Sequence, residues 1–197
     1  MIVTLIEKNA NIILRVIEVG ENMTSNIYIY KCFFQREANI KLNMTLKYTL
    51  SLLYSMSGED NYFPLKQVEL AKLLNIAKSV LSIRLSELSK LSYIDIENGG
   101  VIKVNRPNNT DAIPIPEEFL NEKYHSLTYG AKIFYSYYRW LQEKENKPYL
   151  KIKGTEIAKP IGRSLRTVQT YYKELEDFGL LEKGKERNFN TFNFKQI

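Results

Sequence analysis

The chain has 197 residues, enough for two small domains, and its 44% of hydrophobic residues is enough for a packed core, which argues against disorder. One cysteine and one histidine exclude an internal disulfide framework and a Cys/His metal site, which needs three or four ligands. The net charge is +6, and this whole excess lies in residues 126–197, which hold fourteen cations and eight anions. If these positive charges lie on one face, they would favour the binding of a polyanion such as nucleic acid. A solubilising surface explains the charge alone equally well.

Residues 1–40 are predicted to form a β-rich N-terminal extension. The runs at 2–6, 12–19 and 27–34 are rich in Ile, Val, Tyr and Phe, as strands are. Three strands do not fold easily alone, so we expect them to pack on the next domain or to pair with a second subunit. Glu7, Lys8, Arg15 and Glu18 interrupt the apolar N-terminus, and no run approaches about eighteen uncharged apolar residues, so neither a signal peptide nor a membrane span is expected. A cytoplasmic location fits this composition.

Residues 41–105 are predicted to form a first compact domain. Apolar residues recur at helical spacing over 41–57, and two further helices are expected at 66–74 and 78–91. A hairpin follows, with strands at 93–96 and 101–104 around the turn Asn98-Gly99-Gly100. The predicted order is therefore helix, helix, turn, helix, hairpin.

Residues 106–118 are predicted to be a linker, because they begin with turn residues and continue as Ile113-Pro114-Ile115-Pro116. Each proline disfavours the helical conformation of the residue before it. A second domain is expected over 119–197. It consists of a long aromatic helix at 127–145, a strand at 149–152, and helices at 155–161 and 164–178.

The last of these helices and the segment after it are the most informative part of the chain. Ser164 is expected to cap the helix, and Gly179 to end it in the left-handed conformation. Strands are predicted at 180–182 and 191–194, joined by a turn over 183–188 that carries three cations. The expected buried stripe of the helix is Val168, Tyr172, Leu175 and Phe178.

The chain contains an internal repeat at a shift of 87 residues, without a gap. Glu69-Leu70-Ala71-Lys72 maps onto Glu156-Ile157-Ala158-Lys159, and the leucines at 81, 85, 88 and 91 map onto the stripe of the last helix. Two helical bundles with similar cores would be the simpler explanation. The turn at a fixed offset and the hairpin after each third helix instead favour two copies of a winged helix-turn-helix unit.

Two segments resemble the helix-turn-helix core of bacterial winged-helix regulators. They are LAKLLNIAKSVLSIRLSELSKLSYI and TEIAKPIGRSLRTVQTYYKELEDFGLLE. Two such modules joined by an Ile-Pro-x-Pro linker resemble, over residues 42–195, the paired winged-helix domains of plasmid and phage replication initiators. The expected fold is α+β and mostly helical, with two winged helix-turn-helix domains in tandem after the β-rich extension. In such initiators the first module often serves dimerisation.

In such motifs the third helix enters the major groove, where each base pair presents a distinct pattern of donors and acceptors. In the second module, Arg166 and Gln169 are the candidates for base-edge contacts, and the two threonines could touch thymine methyls or phosphates. The other cations suit phosphates, and those of the hairpin suit the backbone or an adjacent minor groove. The candidate DNA-binding residues are Arg163, Ser164, Arg166, Thr167, Gln169, Thr170, Lys173, Lys183, Lys185 and Arg187, with Lys78, Ser79 and Ser82 of the first module.

The first module departs from this pattern. Its third helix exposes serines and Ile83 with one clear cation, Ala77 is a poor cap, and its hairpin tip carries no charge. Either it binds DNA weakly, or it has become a protein-contact domain with Ile83 in the interface.

The sequence therefore predicts a sequence-specific double-stranded DNA-binding protein, most simply a dimeric transcriptional regulator. The alternatives are a replication initiator or mobile-element accessory protein, and a protein-interaction scaffold built on winged helices. No enzyme is expected, because a phosphate-binding loop is missing and His125 has no nearby serine or cysteine suited to a triad. No cofactor or metal is expected.

Overall fold

The computed structural model describes residues 27–108 and 111–197 and shows an α+β protein of helices and small antiparallel sheets. The strands predicted at 2–6 and 12–19 lie outside the described residues. Of the helices described, none is both long enough and apolar enough to cross a membrane. The α-helices are α1 (Arg36–Lys41), α2 (Met44–Met56), α3 (Gln67–Leu73), α4 (Lys78–Lys90), α5 (Tyr129–Lys144) and α6 (Leu165–Asp177). The strands are β1 (Ile27–Tyr30), β2 (Ile94–Ile96), β3 (Ile102–Val104), β4 (Ala112–Ile115), β5 (Leu150–Ile152), β6 (Leu181–Glu186) and β7 (Phe189–Phe194).

The chain divides into two compact units, called here the N unit and the C unit. The described part of the N unit is Ile27 and Thr49–Pro107, and the C unit comprises Tyr28–Tyr48 and Asn108–Ile197. The sequence predicts a first domain that begins at residue 41 and a linker at 106–118. The structure instead groups residues 28–48 and 111–118 with the C unit.

The N unit is built on α4, which buries Leu81, Leu85 and Leu88 at helical spacing. The hairpin β2–β3 follows, in the register Ile94↔Val104. A short extended segment that the sequence analysis missed completes the sheet, because Tyr62 forms an antiparallel bridge with Lys103 on the free side of β3. The N unit thus runs helix, extended segment, helix, helix, hairpin.

The C unit has the same order around the three-stranded sheet β5-β7-β6. Its central helix α5 buries Phe134, Tyr135 and Tyr138, which pack against Phe194 of β7 with ring centroids 5.7–6.2 Å apart. Thr128 caps α5 by accepting a hydrogen bond from the N–H of Ala131 at 3.2 Å. These three aromatic residues are therefore core, as the sequence indicates, whereas Tyr137 and Trp140 of the same predicted stripe are half-buried.

Two predicted extended segments differ from the structure. The strand expected over 27–34 ends at Tyr30, and Lys31–Phe34 form a 3₁₀ turn. The predicted linker contains β4, which pairs with β1. Ile113 and Ile115 of β4 point to the same side and are buried, while Pro114 is exposed on the other. The prolines do extend the chain, but the extended segment pairs with β1 and buries the isoleucine that precedes each proline.

The helix predicted at 155–161 is also shorter in the structure. Only Glu156–Ala158 are helical, as one 3₁₀ turn. Pro160 has no N–H to donate to the carbonyl of Glu156, so an α-helix cannot continue through it. The equivalent α3 of the N unit has no proline and makes two turns.

The repeat is visible in the helix boundaries, since α6 begins and ends 87 residues after α4. It is not gapless, however. In the first hairpin Ile94 pairs with Val104, and in the second the equivalent pair is Leu181 with Phe194. Leu181 lies 87 residues after Ile94, but Phe194 lies 90 residues after Val104. Burial follows the pairing, because Val104 and Phe194 are both buried. The second hairpin has therefore gained three residues.

Candidate nucleic-acid interface

The start of α6 is fixed by local hydrogen bonds. The Ser164 hydroxyl accepts from the backbone N–H of Thr167 at 3.1 Å, which confirms the predicted cap, and the two hydroxyls lie 2.9 Å apart. Gly162 has a φ of +65°, which an L residue with a Cβ rarely adopts, and lets the chain turn into the helix. At the other end Gly179 has a φ of +70°, as predicted.

The orientation of α6 depends on one residue that sequence reasoning did not single out. Tyr171 is buried, and its ring and hydroxyl occupy the space in which a Cβ on Gly130 of α5 would lie. A glycine at this position therefore lets the two helices approach. The carboxylate of Glu174 accepts from the backbone N–H of Thr128 at 2.8 Å, which holds α6 to the start of α5. These contacts present the opposite side of α6 to solvent.

The solvent-facing stripe of α6 consists of Arg166, Gln169, Thr170 and Lys173, all exposed, as the helical period predicts. The predicted buried stripe lies inward, with Phe178 half-buried at its end. The first turn of α6 contains no acidic residue. Neither Arg166 nor Lys173 takes part in an ion pair within the part of the chain that the structure describes. Their charges are therefore available to a ligand.

The hairpin β6–β7 has longer strands and a shorter turn than predicted, and this determines where its charged side chains point. Lys183 and Lys185 were expected in a six-residue turn, but β6 and β7 pair as far as Glu186↔Phe189, which leaves Arg187 and Asn188 as the turn. Consecutive side chains of a strand point to opposite faces, so both lysines share the face of the buried Leu181. The Lys183 ammonium lies 5.2 Å from the ring centroid of Tyr172, so this face looks towards α6.

The acidic residues of the hairpin lie on its outer face. Glu182 pairs with Lys195 and Glu186 with Lys151, each at 2.8 Å. Hydrogen bonds from these lysines hold the pKa of both carboxyls below the usual range. The strand thus sorts its charges, with carboxylates neutralised outside and lysines without an ion pair inside, counting the described residues only. Arg187 is exposed at the tip with a φ of +54°.

Arg163 and Thr167 are less accessible than the sequence predicts. Both are half-buried at the margin of the stripe. Burial, and next the charge of Arg163, lower the pKa of the buried Lys47 to about 8. Arg163 therefore acts partly on the interior of the C unit, whereas Arg166 and Lys173 point to solvent.

The corresponding surface of the N unit has a different character. Lys78, Ser79 and Ser82 are exposed, as predicted, but so is Ile83, with 61% of its surface accessible. The Ala77 position offers no side-chain cap to α4. The neutral tip Asn98–Gly100 is tied down by a hydrogen bond from the Gln67 amide to the Gly100 carbonyl at 3.1 Å. This hairpin is short and carries no cation at its tip.

Sequence reasoning could have found the missed segment at Tyr62 from the repeat. Tyr62 lies 87 residues before Tyr149, which adjoins β5. Both tyrosines donate their hydroxyl to a glutamate of their own unit, Glu97 at 3.1 Å and Glu186 at 3.3 Å. A strand beside Tyr149 therefore implies an extended segment at Tyr62.

The chain was compared with protein-family models, curated proteins and solved structures. No family model, no curated protein and no solved structure matches it. A functional proposal must therefore be based on the geometry and charge of the chain itself.

Proposed function

We propose that this chain is a sequence-specific double-stranded DNA-binding protein that acts as a transcriptional regulator. The observation that carries the proposal is the sorting of charge in the C unit. Arg166 and Lys173 on α6 and Lys183 and Lys185 on the inner face of β6 have no ion pair in the described ranges, whereas the hairpin carboxylates are paired on the outer face.

The order of elements supports a tandem winged-helix arrangement. In each unit a helix is followed by an extended segment, two helical segments and a hairpin, and the first extended segment pairs with the last strand. In this proposal α6 lies in the major groove, where an α-helix fits, and the β6–β7 hairpin is the wing.

The side chains of α6 suit the edges of base pairs. Arg166 can pair with the O6 and N7 of guanine, and Gln169 with the N6 and N7 of adenine. Thr170 donates its hydroxyl to the Arg166 carbonyl at 3.4 Å, which leaves its methyl group for a thymine methyl. Lys173 and the hairpin cations would contact phosphates, which set the register of the protein on the duplex.

The salt dependence of binding tests this proposal. Lys173, Lys183, Lys185 and Arg187 provide four proposed phosphate contacts, so log K against log[salt] should have a slope of about −3.6, at roughly −0.9 for each phosphate contact. Fluorescence anisotropy on a selected duplex at 50–300 mM salt measures it. Lys151→Gln is the control and should leave the slope unchanged, because this lysine is also exposed but lies on the outer face, where it pairs with Glu186. A flat salt response would contradict the proposal.

Arg166→Ala should weaken binding to the selected duplex by about 1–3 kcal/mol and relax specificity at one base pair. By contrast, Lys185→Gln should weaken all sequences similarly, because a phosphate contact carries no sequence information. Selection from a random duplex library with each variant gives both results. An unchanged consensus for Arg166→Ala would show that α6 does not read the bases.

The exposed Ile83 and the neutral tip of the N unit favour a second candidate, a winged-helix interaction scaffold. The winged helices of such a scaffold would no longer bind DNA, so they would show no salt-dependent binding to the duplex, and the same titration separates the two candidates. A replication initiator would bind repeated origin sites, whereas a regulator would bind an operator next to a promoter. Footprinting of the flanking genomic DNA distinguishes them. In both DNA-binding cases we expect the N unit to position or pair the C unit, with the chain acting as a homodimer.

A further inference from the structure

One contact joins α6 to the hairpin through a charged group. The Lys183 ammonium of β6 lies 5.2 Å from the ring centroid of Tyr172 of α6, within the range of a cation–π interaction. The ring itself is fixed, because Tyr172 is 5% exposed and packs on Phe192 and Phe134 with centroids 5.2 and 5.5 Å apart. Lys183 is exposed and lies directly opposite Phe192 in the β ladder.

The polar surroundings of this pair give the lysine no competing partner. Glu182, its neighbour in the chain, points to the outer face and binds Lys195 at 2.8 Å. The Tyr172 hydroxyl is buried and makes no hydrogen bond to any described residue. Burial raises the pKa of Tyr172, so its ring remains a neutral phenol. The contact with Lys183 is therefore made by the face of the ring, and the hydroxyl plays no evident part in it.

The repeat provides an internal comparison. The residues of the N unit equivalent to Tyr172 and Lys183 are Leu85 and Ile96, at the shift of 87. Leu85 is buried in α4, and Ile96 is 43% exposed on β2. The N unit, whose hairpin tip is neutral, thus has two apolar residues at these positions. The C unit, whose hairpin is basic, has Tyr172 and Lys183 there.

From these observations we infer that Tyr172 is a positioning residue for DNA binding, which holds the Lys183 ammonium at the junction of helix and hairpin for a backbone phosphate. The inference rests on the function proposed above and deepens it. A free lysine loses rotamer freedom when it binds a phosphate, which costs affinity. The Tyr172 ring restricts the lysine before binding, and the exposed side of the ammonium remains open to a second, anionic partner.

A double-mutant cycle on the full chain tests the inference, with duplex affinity at several salt concentrations as the readout. Lys183→Gln should make the salt slope shallower by about 0.9. Tyr172→Leu should weaken binding about two- to tenfold, the effect of ordering one long side chain. In the Lys183→Gln background Tyr172→Leu should have no further effect. Tyr172→Phe keeps the ring and should retain wild-type affinity.

A purely structural role of Tyr172 gives a different result. Tyr172→Leu would then weaken binding equally in both backgrounds, and that outcome overturns the inference, as does a Tyr172→Leu variant with wild-type affinity. A wild-type chain that does not bind duplex DNA overturns the proposed function and this inference together.

A second measurement needs no variant that might lose the fold. In the free wild-type protein the ring current of Tyr172 should shift the Hε protons of Lys183 upfield of those of the other lysines. Hε protons at the ordinary lysine position would show that the ring does not hold the side chain, and would overturn the inference.

Discussion

Replacing Gly130 by alanine tests how α5 and α6 are held together. Alanine favours a helix by about 1 kcal/mol over glycine, so helix propensity alone predicts a more stable protein. The structure predicts the opposite, because the new Cβ would overlap the ring and hydroxyl of the buried Tyr171. Overpacking a core costs about 1–3 kcal/mol, and displacing the ring adds lost burial. We expect a net destabilisation of about 1–3 kcal/mol.

Urea unfolding followed by circular dichroism measures this change. The control is the same substitution in a Tyr171→Ala background, where the space is open and Gly130→Ala should stabilise the chain by up to about 1 kcal/mol. A Gly130→Ala variant of the wild type that is more stable than its parent would refute the packing described for the two helices.

Three further predictions concern stability. Burial lowers the pKa of Lys47 and Lys132 from 10.5 to about 8, so between those pH values only the unfolded chain keeps the proton. The free energy of unfolding should therefore rise from pH 8 to 10, by up to ~1.4 kcal/mol per pH unit for each lysine, in urea titrations. Gly184→Ala should destabilise the hairpin by ~1 kcal/mol in amide exchange, because its Cβ would lie 2.6 Å from Thr191 Oγ1, and Thr191→Ala should relieve this. Ser164→Ala should cost ~1 kcal/mol of unfolding free energy through the lost cap.

The longer helices could be predicted from the sequence because a buried stripe leaves a strong periodic signal, whereas the short α1 was missed. For α4 and α6 the predicted ends lie within one residue of the observed ones, and the solvent-facing stripe of α6 follows from the same period. The helix predicted at 155–161 was wrong, because Pro160 lacks the N–H that an α-helix would need there. A single β-bridge such as Tyr62↔Lys103 has no period at all, so only the repeat could have revealed it.

The charge sorting of the hairpin could not be predicted, because it depends on strand boundaries. Residues 183–188 are exposed on both faces, so they lack the apolar alternation by which a strand is recognised, and their sequence predicts a turn. Once the ladder extends to Glu186, alternation alone places the lysines on one face and the glutamates on the other. Lys183 and Lys185 are exposed, as the sequence predicts, but the face that they share became visible only in the structure.

The three residues gained by the second hairpin change its length. Beyond the pair Ile96↔Ile102, the first hairpin has one more pair of residues before its turn. Beyond the equivalent pair Lys183↔Phe192, the second hairpin has three more pairs. Two additional rungs at ~3.4 Å each move the tip outward by about 7 Å. This distance is comparable to the ~6 Å width of the minor groove of B-DNA. If the hairpins contact DNA as proposed, the three additional residues lengthen the β6–β7 hairpin, relative to the β2–β3 hairpin, by about the width of a minor groove.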